Sequence, residues 1–476
     1  MAAMAISVLP IVSGLLPCLV LRVIEGQSRR DICNLSSALC PVSESLQFER
    51  SQAWCRTKVK ESSRRSRRVD ARVVMAQANS AMEKSPAKKQ VLVPVANGTE
   101  EMEAVIVIDV LRRAGAAVTV ASVEEGKLVN ASRGVNLLAD CLISECEGVE
   151  YDLVVLPGGM PGAERFRDSQ VLKRITVKQS QEKRMFAAIC AAPVVALQSW
   201  GLLAGLNATC HPGFAVKLED KSSVGGRVVR DGALTTSRAP GTAFEFALAL
   251  IEQLYGPESV PAVADPMVLP SHDGIVSAAL KFNDEDWTTS SIPRVLVPVA
   301  NGSEEMEVVI IVDILRRAGA EVVVASVESE TTIKASRNVQ LVADTLVSEI
   351  VQTKFDLVVL PGGMPGATRL QESEELSKIL NQQVESGRCY GAICAAPAVV
   401  LEANGLLNGK KATSHPAFSS ILKDQSAVEG RVVIDGRLIT SRGPGTAMEF
   451  TLNIVEKLFS RSKAQEVAEP MVFNYV

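Results

Sequence analysis

The sequence predicts an α/β protein made of two copies of one domain, each a mostly parallel sheet with helices on both faces. Three observations predict it. Several motifs recur at a constant offset of 204 positions. Within a copy, short apolar runs alternate with longer segments of helical period, the pattern of strand–helix–strand units. Runs such as Leu153-Val-Val-Leu156 are continuously hydrophobic, as strands covered on both faces are. A chain of 476 residues is also too long for one core.

The first 21 residues are apolar and uncharged. They lack the basic start of a secretory signal, and Pro10, Gly14 and Pro17 argue against a membrane span. From Arg22 to Arg72 the chain is rich in Arg and Ser, densest at Arg64-Arg-Ser-Arg-Arg68, with no period that builds a core. Such a leader is similar to an organelle transit peptide, and Arg72-Val-Val-Met-Ala76 is similar to a stromal processing site. The expectation is a leader over 1–80 addressed to the chloroplast. Mitochondrion and cytosol are the alternatives, and a solvated basic tail is the plainer reading.

Residues 1–76 hold 12 Lys/Arg against 6 Asp/Glu, whereas the whole chain has 50 against 54, so the body is mildly acidic. That balance gives no electrostatic reason to expect nucleic acid as a partner. With 47% hydrophobic and 22% charged residues, the composition excludes a fibrous or disordered chain. Of ten cysteines, four (Cys18, Cys33, Cys40, Cys55) fall in the leader. The other six (Cys141, Cys146, Cys190, Cys210, Cys389, Cys394) show neither zinc-ligand spacing nor the density of a secreted scaffold. The body reads as reduced and intracellular.

The duplication sets the domains. Val91-Leu-Val-Pro-Val-Ala-Asn-Gly98 returns from Val295, and Leu153-Val-Val-Leu-Pro-Gly-Gly-Met-Pro-Gly-Ala163 returns from Leu357. Ser237-Arg-Ala-Pro-Gly-Thr-Ala243 returns from Ser441, with Gly443 in place of Ala239, and Pro266-Met-Val268 returns from Pro470. Copies are expected at 88–270 and 292–476, joined by a polar linker over 271–291 in which His272 is merely exposed. Within the first copy, strands are expected at 90–96, 117–122, 152–157, 185–190, 207–210, 227–230 and 233–236. Helices are expected at 99–114, 167–183, 191–199 and 240–255. In such sheets reactive groups collect at the C-terminal strand ends.

Four features per copy point to that edge. Thr99 is a plausible helix N-cap, Glu100 and Glu101 suit the helix dipole, and Glu103 follows one turn in. Pro157-Gly-Gly is a turn whose glycines let backbone N–H groups approach a ligand, or simply ends a strand. Ala188-Ile-Cys-Ala-Ala-Pro193, returning as Ala392 to Pro397, places Cys190 and Cys394 at a strand-to-helix turn. A helix N-terminus there favours the thiolate, although most free cysteines are core filler. The chain has three histidines, and His211 and His415 occupy one repeat position, 21 residues after the cysteine. Cysteine, histidine and carboxylate form a nucleophile–base–orienter set, while one His and one Cys per copy fall short of a metal site.

These motifs together (Gly-Thr/Ser-Glu-Glu-Met-Glu, Leu-Pro-Gly-Gly, Ala-Ile-Cys-Ala-Ala-Pro, Thr-x-His-Pro, Ser-Arg-x-Pro-Gly-Thr) resemble the DJ-1/PfpI family, and within it the DJ-1 branch. The resemblance covers 90–270 and 294–476. It implies a flavodoxin-like, doubly wound fold with the cysteine on a nucleophile elbow. By resemblance Cys190 and Cys394 match the nucleophile, Glu103 and Glu307 the proton-shuttling acid, and His211 and His415 the nearby histidine. The N–H groups of Gly159 and Ala191, and of Gly363 and Ala395, match the oxyanion donors.

The implied activity is glyoxalase III chemistry on 2-oxoaldehydes, methylglyoxal to lactate and glyoxal to glycolate, without metal or cofactor, with a possible protein deglycase activity. The competing class is a redox-responsive holdase chaperone. Ala191 and Ala395 replace the histidine of the protease-like branch, and Pro212 and Pro416 interrupt the His-x-Glu of amidotransferases. The resemblance also implies an intramolecular pseudo-dimer of the copies, open to further homo-oligomerisation, with Pro240 and Pro444 exchanged between sites.

Overall fold

The structure, a computed structural model, describes residues 88–270, 278–289 and 291–475. The expected leader at 1–80 and His272 lie outside the described residues. Among those described, no helix is long and apolar enough to cross a membrane.

The first copy runs β1 (Gln90–Val95), α1 (Glu101–Arg113), β2 (Ala117–Ser122), β3 (Leu128–Asn130), β4 (Asn136–Leu138), β5 (Cys141–Leu142) and β6 (Leu153–Leu156). It continues with α2 (Gly162–Asp168), α3 (Gln170–Gln181), β7 (Met185–Ile189), β8 (Val228–Asp231), β9 (Leu234–Ser237), α4 (Ala243–Tyr255) and α5 (Val260–Ala264). The connection supplies β10 (Leu280–Phe282). The second copy repeats the plan: β11 (Arg294–Val299), α6 (Glu305–Ala318), β12 (Glu321–Ser326), β13 (Thr332–Lys334), β14 (Gln340–Val342), β15 (Thr345–Leu346) and β16 (Leu357–Leu360). Then come α7 (Gly366–Glu372), α8 (Glu374–Glu385), β17 (Cys389–Ile393), β18 (Val432–Asp435), β19 (Leu438–Ser441), α9 (Ala447–Leu458) and α10 (Arg461–Ala468).

The first sheet has the order β5-β2-β1-β6-β7-β9-β8, parallel except for the β8–β9 hairpin. The continuously apolar β1 and β6 sit in its centre, buried throughout apart from Gln90. Pro94 has no N–H to give, and β1 pairs with β6 only at Val91 and Leu92. Beyond that point the two strands no longer pair, at the C-terminal edge where the site lies. The second sheet has the same order extended by β10, which pairs in parallel with β18. That connection also buries Trp287, whose indole N–H donates to the Gly436 carbonyl (2.9 Å). A polar composition concealed both contributions. Covered by β10, β18 is fully buried, whereas its counterpart β8 remains a half-exposed edge.

The copies join through two features. Hairpins β3–β4 and β13–β14 form one four-stranded antiparallel sheet, with Gln340, Leu341 and Val342 opposite Leu138, Leu137 and Asn136. Strands of three residues carry too little pattern to be read from sequence. Helices α1 and α6 pack against each other, which is why α1 is buried from Glu101 to Leu111 rather than on one stripe. That contact buries Asp109 and Asp313. Each is paired with an arginine one turn on, Arg113 or Arg317, and the guanidinium then crosses to the other copy. Arg113 donates to Glu304 (2.9 Å) and Arg317 to Glu100 (2.8 Å).

Other expectations shift for local reasons. The helix read over 167–183 breaks at Ser169, whose hydroxyl caps α3 by accepting from Leu172 N–H (3.3 Å). Residues 207–210 form no strand. They are an extended connection in which Thr209 N–H donates to the Thr236 hydroxyl (2.9 Å). The N-cap of α1 is Glu100, not Thr99: the Glu100 carboxylate accepts from Glu103 N–H (2.7 Å), while Thr99 Oγ1 accepts from Ala96 N–H (2.8 Å). The segment after Cys190 is one π-helical stretch, Pro193–Gln198.

Candidate active site

Three strand ends bring the expected residues together. β1 leads into α1 and Glu103, β6 into Gly158-Gly159, and β7 into Cys190. Cys190 and Cys394 take left-handed backbone conformations, φ +66° and +63°, which cost a side-chain-bearing residue about 1 kcal/mol or more. The sharp turn aims the sulfur off the sheet edge. Gly158 is required by crowding: a Cβ there would lie 2.5 Å from Cys190 Cβ and 2.7 Å from Glu103 Oε2. Through that gap Gly158 N–H donates to Glu103 Oε2 (2.8 Å), and Gly362 N–H donates to Glu307 Oε2 (2.7 Å).

Each carboxyl keeps one oxygen, Oε1, buried and without a partner among the described residues. Burial pushes Glu103 up to about 8 and Glu307 up to about 7, against the glycine N–H and the cysteine, which favour the charged form. The cysteines do not show the depressed thiol expected of a helix N-terminus. Burial first, and then the facing glutamate, push Cys190 and Cys394 well up, while the N–H groups of Gly159 and Gly363 pull them back. A nearly enclosed sulfur next to a carboxylate outweighs a short helix end. With the glutamate protonated, however, the repulsion disappears and its O–H becomes a donor to charge forming at sulfur.

The histidines are placed near the cysteines but not as bases. His211 N–H donates to the Cys190 carbonyl (2.8 Å). Gly213 N–H donates to His211 Nδ1 (3.0 Å), so Nε2 carries the proton and donates to the Pro470 carbonyl of the other copy (2.9 Å). His415 repeats this with Ala417 N–H (3.2 Å) and Pro266 O (2.8 Å). With both ring nitrogens engaged, each histidine pins one copy's site to the other copy's C-terminal segment. The nucleophile–base–orienter set reduces to a Cys–Glu pair.

A cavity of about 250 Å³ opens on Cys394, lined on its own side by Gly363, Ala395, His415, Arg337 and Pro444. Arg113 and Pro266 reach it from the first copy. Their counterparts Arg133, Arg317 and Pro470 line a second cavity of about 320 Å³, whose wall does not include Cys190. The expected exchange is overturned for Pro444, which lines the site of its own copy, whereas beside Pro240 the Gly241 N–H donates to the Met471 carbonyl of the other copy (2.7 Å). Thr446 Oγ1 accepts from Gly443 N–H (3.0 Å) and is bonded to Ser441 Oγ (2.6 Å), folding the loop onto its own strand end. What crosses is an arginine and the Pro-Met-Val segment. Sequence reasoning noted the repeat of Pro266-Met-Val268 without a role and passed over Arg113 and Arg317, whose repetition in Leu-Arg-Arg-Ala-Gly was the available signal.

The raised carboxyls have a consequence for stability. Glu101, Glu103, Glu305, Glu307 and Glu449 are each pushed to about 7 or 8 by burial. Folded protein therefore holds more protons than unfolded protein between pH 4.5 and about 8. The stabilisation is complete below 4.5 and is lost as pH rises through the folded values, by up to about 1.4 kcal/mol per pH unit for each titrating group. We expect the urea midpoint to fall from pH 5 to pH 8, and to fall less in Glu103→Gln/Glu307→Gln. A midpoint rising over that window would contradict the assignment.

A thiol on a strained strand-to-helix turn, faced by a buried carboxyl and a glycine N–H, defines a cysteine-centred α/β site of the nucleophile-elbow class. The chain belongs to the DJ-1/PfpI family: the family model matches residues 89–253 and again 293–457. It is 48% identical over 404 residues to Protein DJ-1 homolog B of Arabidopsis thaliana, covering 85% of this chain and 92% of that one. Identity to Protein DJ-1 homolog A of the same plant is 48% over 383 residues, 80% of this chain and 98% of that one. A Caenorhabditis elegans relative named glutathione-independent glyoxalase DJR-1.2 is 36% identical over 171 residues, 36% of this chain and 90% of that one.

Proposed function

We propose that both copies are cofactor-independent glyoxalases that turn methylglyoxal and glyoxal into lactate and glycolate, protecting the cell against reactive carbonyls. Protein deglycase activity would be a related outcome of the same chemistry. The observation that carries this is the buried Glu103 and Glu307 carboxyls, held by a glycine N–H at the nucleophile and protonated near neutral pH. The glyoxalase named among the relatives supports it.

The cysteine sulfur adds to the aldehyde carbon as the thiol proton leaves to solvent, and the protonated glutamate gives its own proton to the carbonyl oxygen and becomes a carboxylate. In this reading the N–H groups of Gly159 and Ala191, or of Gly363 and Ala395, stabilise the charge that develops on that oxygen. The glutamate, now a carboxylate, takes the proton from the former aldehyde carbon to give an enediolate. It returns the proton to the neighbouring carbon, leaving a thioester of the 2-hydroxy acid. Water hydrolyses the thioester and restores the thiol, so the sum is oxoaldehyde plus water to hydroxy acid. The small cavity suits such a substrate, and arginines Arg113 and Arg337 on its wall complement the carboxylate product.

Lactate formation from methylglyoxal without glutathione tests the reading. Turnover is expected in the full chain, to be reduced less than about tenfold by His211→Asn/His415→Asn, and at least about 100-fold by Glu103→Gln/Glu307→Gln. No turnover, with suppression of client aggregation appearing only after mild peroxide, would favour the chaperone reading instead. We further propose that residues 1–80 direct the chain to the chloroplast. A fluorescent fusion of that segment arriving in another compartment would refute the assignment.

A further inference from the structure

Of the four described cysteines outside the machinery just described, Cys141 and Cys146 lie together. Cys141 opens β5, opposite Ala121 of β2, and Cys146 closes the single turn of 3-10 helix at Ile143–Cys146. Their sulfurs are 3.6 Å apart, Cys146 Sγ also has a long contact to the Leu142 carbonyl (3.9 Å), and the Tyr151 hydroxyl faces it. We propose that Cys141 and Cys146 are a redox-active dithiol, a second thiol site confined to the first copy, that closes to a disulfide.

A disulfide bond of about 2.05 Å requires the sulfurs to approach by roughly 1.5 Å, within reach of side-chain rotation when only four residues intervene. The two thiols have unequal access: Cys141 is half-buried and meets solvent, whereas Cys146 is buried beneath it. That is the arrangement of an attacking and a resolving thiol. In the second copy the matching positions are Thr345 and Ile350, so the pair is no remnant of the duplicated site. In the sheet β5 is four strands from β7, which places the dithiol roughly 19 Å from Cys190.

Two oxidant classes balance the reaction. With a peroxide, the Cys141 thiolate attacks oxygen and becomes a sulfenic acid as one water leaves. Cys146 sulfur then displaces the second water, so two thiols and one hydrogen peroxide give one disulfide and two waters. With glutathione disulfide, Cys141 sulfur displaces one glutathione thiol to form a mixed disulfide, and Cys146 displaces the second. Burial, and then the neighbouring Cys146, push the Cys141 thiol up to about 12, so the first step is slow at neutral pH and accelerates as pH rises. The second step is intramolecular at near-contact distance and therefore fast.

The test uses the full chain treated with hydrogen peroxide or glutathione disulfide, alkylated and digested with trypsin. Both cysteines fall in one peptide, Gly134 to Arg165. Closure is read as loss of about 2 Da with neither cysteine alkylated, reversed by dithiothreitol. It should proceed equally in Cys190→Ala/Cys394→Ala and faster at pH 9 than at pH 7. In Cys146→Ser, glutathione disulfide should instead leave a mixed disulfide at Cys141. Full alkylation of both cysteines in wild-type protein whose Cys190 and Cys394 have been oxidised would overturn the proposal. So would pairing of either cysteine with a different partner.

Discussion

Replacing Cys190 and Cys394 together with alanine is expected to abolish lactate production from methylglyoxal, by more than about 10³-fold, because in the proposed mechanism these sulfurs carry the hydroxy acyl intermediate. Either substitution alone should leave about half the activity. The expectation of equal halves rests on the site residues. Glu, Gly-Gly, Cys and His recur at every position, and the substitutions around them (Phe186 for Tyr390, Cys210 for Ser414, Ala239 for Gly443) remove no reacting group. The cysteine is nearly enclosed in both copies, at 9% and 8% exposure, so alanine leaves only a small void and the fold should persist. Steady-state kinetics on the three variants decide it. Full turnover in the double variant would remove the cysteines from the mechanism, and a single variant as inactive as the double would show that one copy alone works.

Arg317→Ala should destabilise the protein by roughly 3–5 kcal/mol, the cost of leaving buried carboxylates without their counter-charge. Its guanidinium serves Asp313 on its own helix and Glu100 of the other copy, both almost wholly buried. Burial, and then Asp313, already push the Glu100 carboxyl well up, so removing the arginine drives it toward the neutral form. Neutral carboxyls tolerate burial better than charged ones, so the deficit should be larger at pH 8 than at pH 5. Urea unfolding of the variant and the parent at both pH values measures it. A loss under about 1 kcal/mol at pH 8 would mean that water or rearrangement replaces the arginine. Because Glu100 also caps α1 beside Glu103, turnover at Cys190 should fall more than turnover at Cys394.

The site was legible to the extent that it is written in local chemistry. Cys190 and Gly159 follow the ends of strands that announce themselves by apolar runs, Glu103 opens the helix after another such strand, and the sheet brings those ends together. The role of His211 was not legible, because rarity and repetition mark a residue as constrained without saying by what. The constraint proved to be a carbonyl 259 positions away. Arg113 and Arg317 look like ordinary basic residues in a last helical turn until α1 and α6 pack together. The hairpin that joins the copies is three residues per strand, too short for any period to register.

By itself the sequence determined the duplication, the strands β1, β2, β6, β7, β8 and β9 with the helices α1 and α4 of the first copy, and the position of the thiol at a strand-to-helix turn. These follow from hydrophobic period and turn chemistry, which act over a few residues. Only the tertiary structure decided that each copy reaches the other's site, that the histidines are pinned to the other copy's carbonyls, and that burial pushes the thiols up. Those outcomes depend on which distant groups share a desolvated space. The strength of a charge there is set by its neighbours and by the exclusion of water, neither of which a linear pattern specifies.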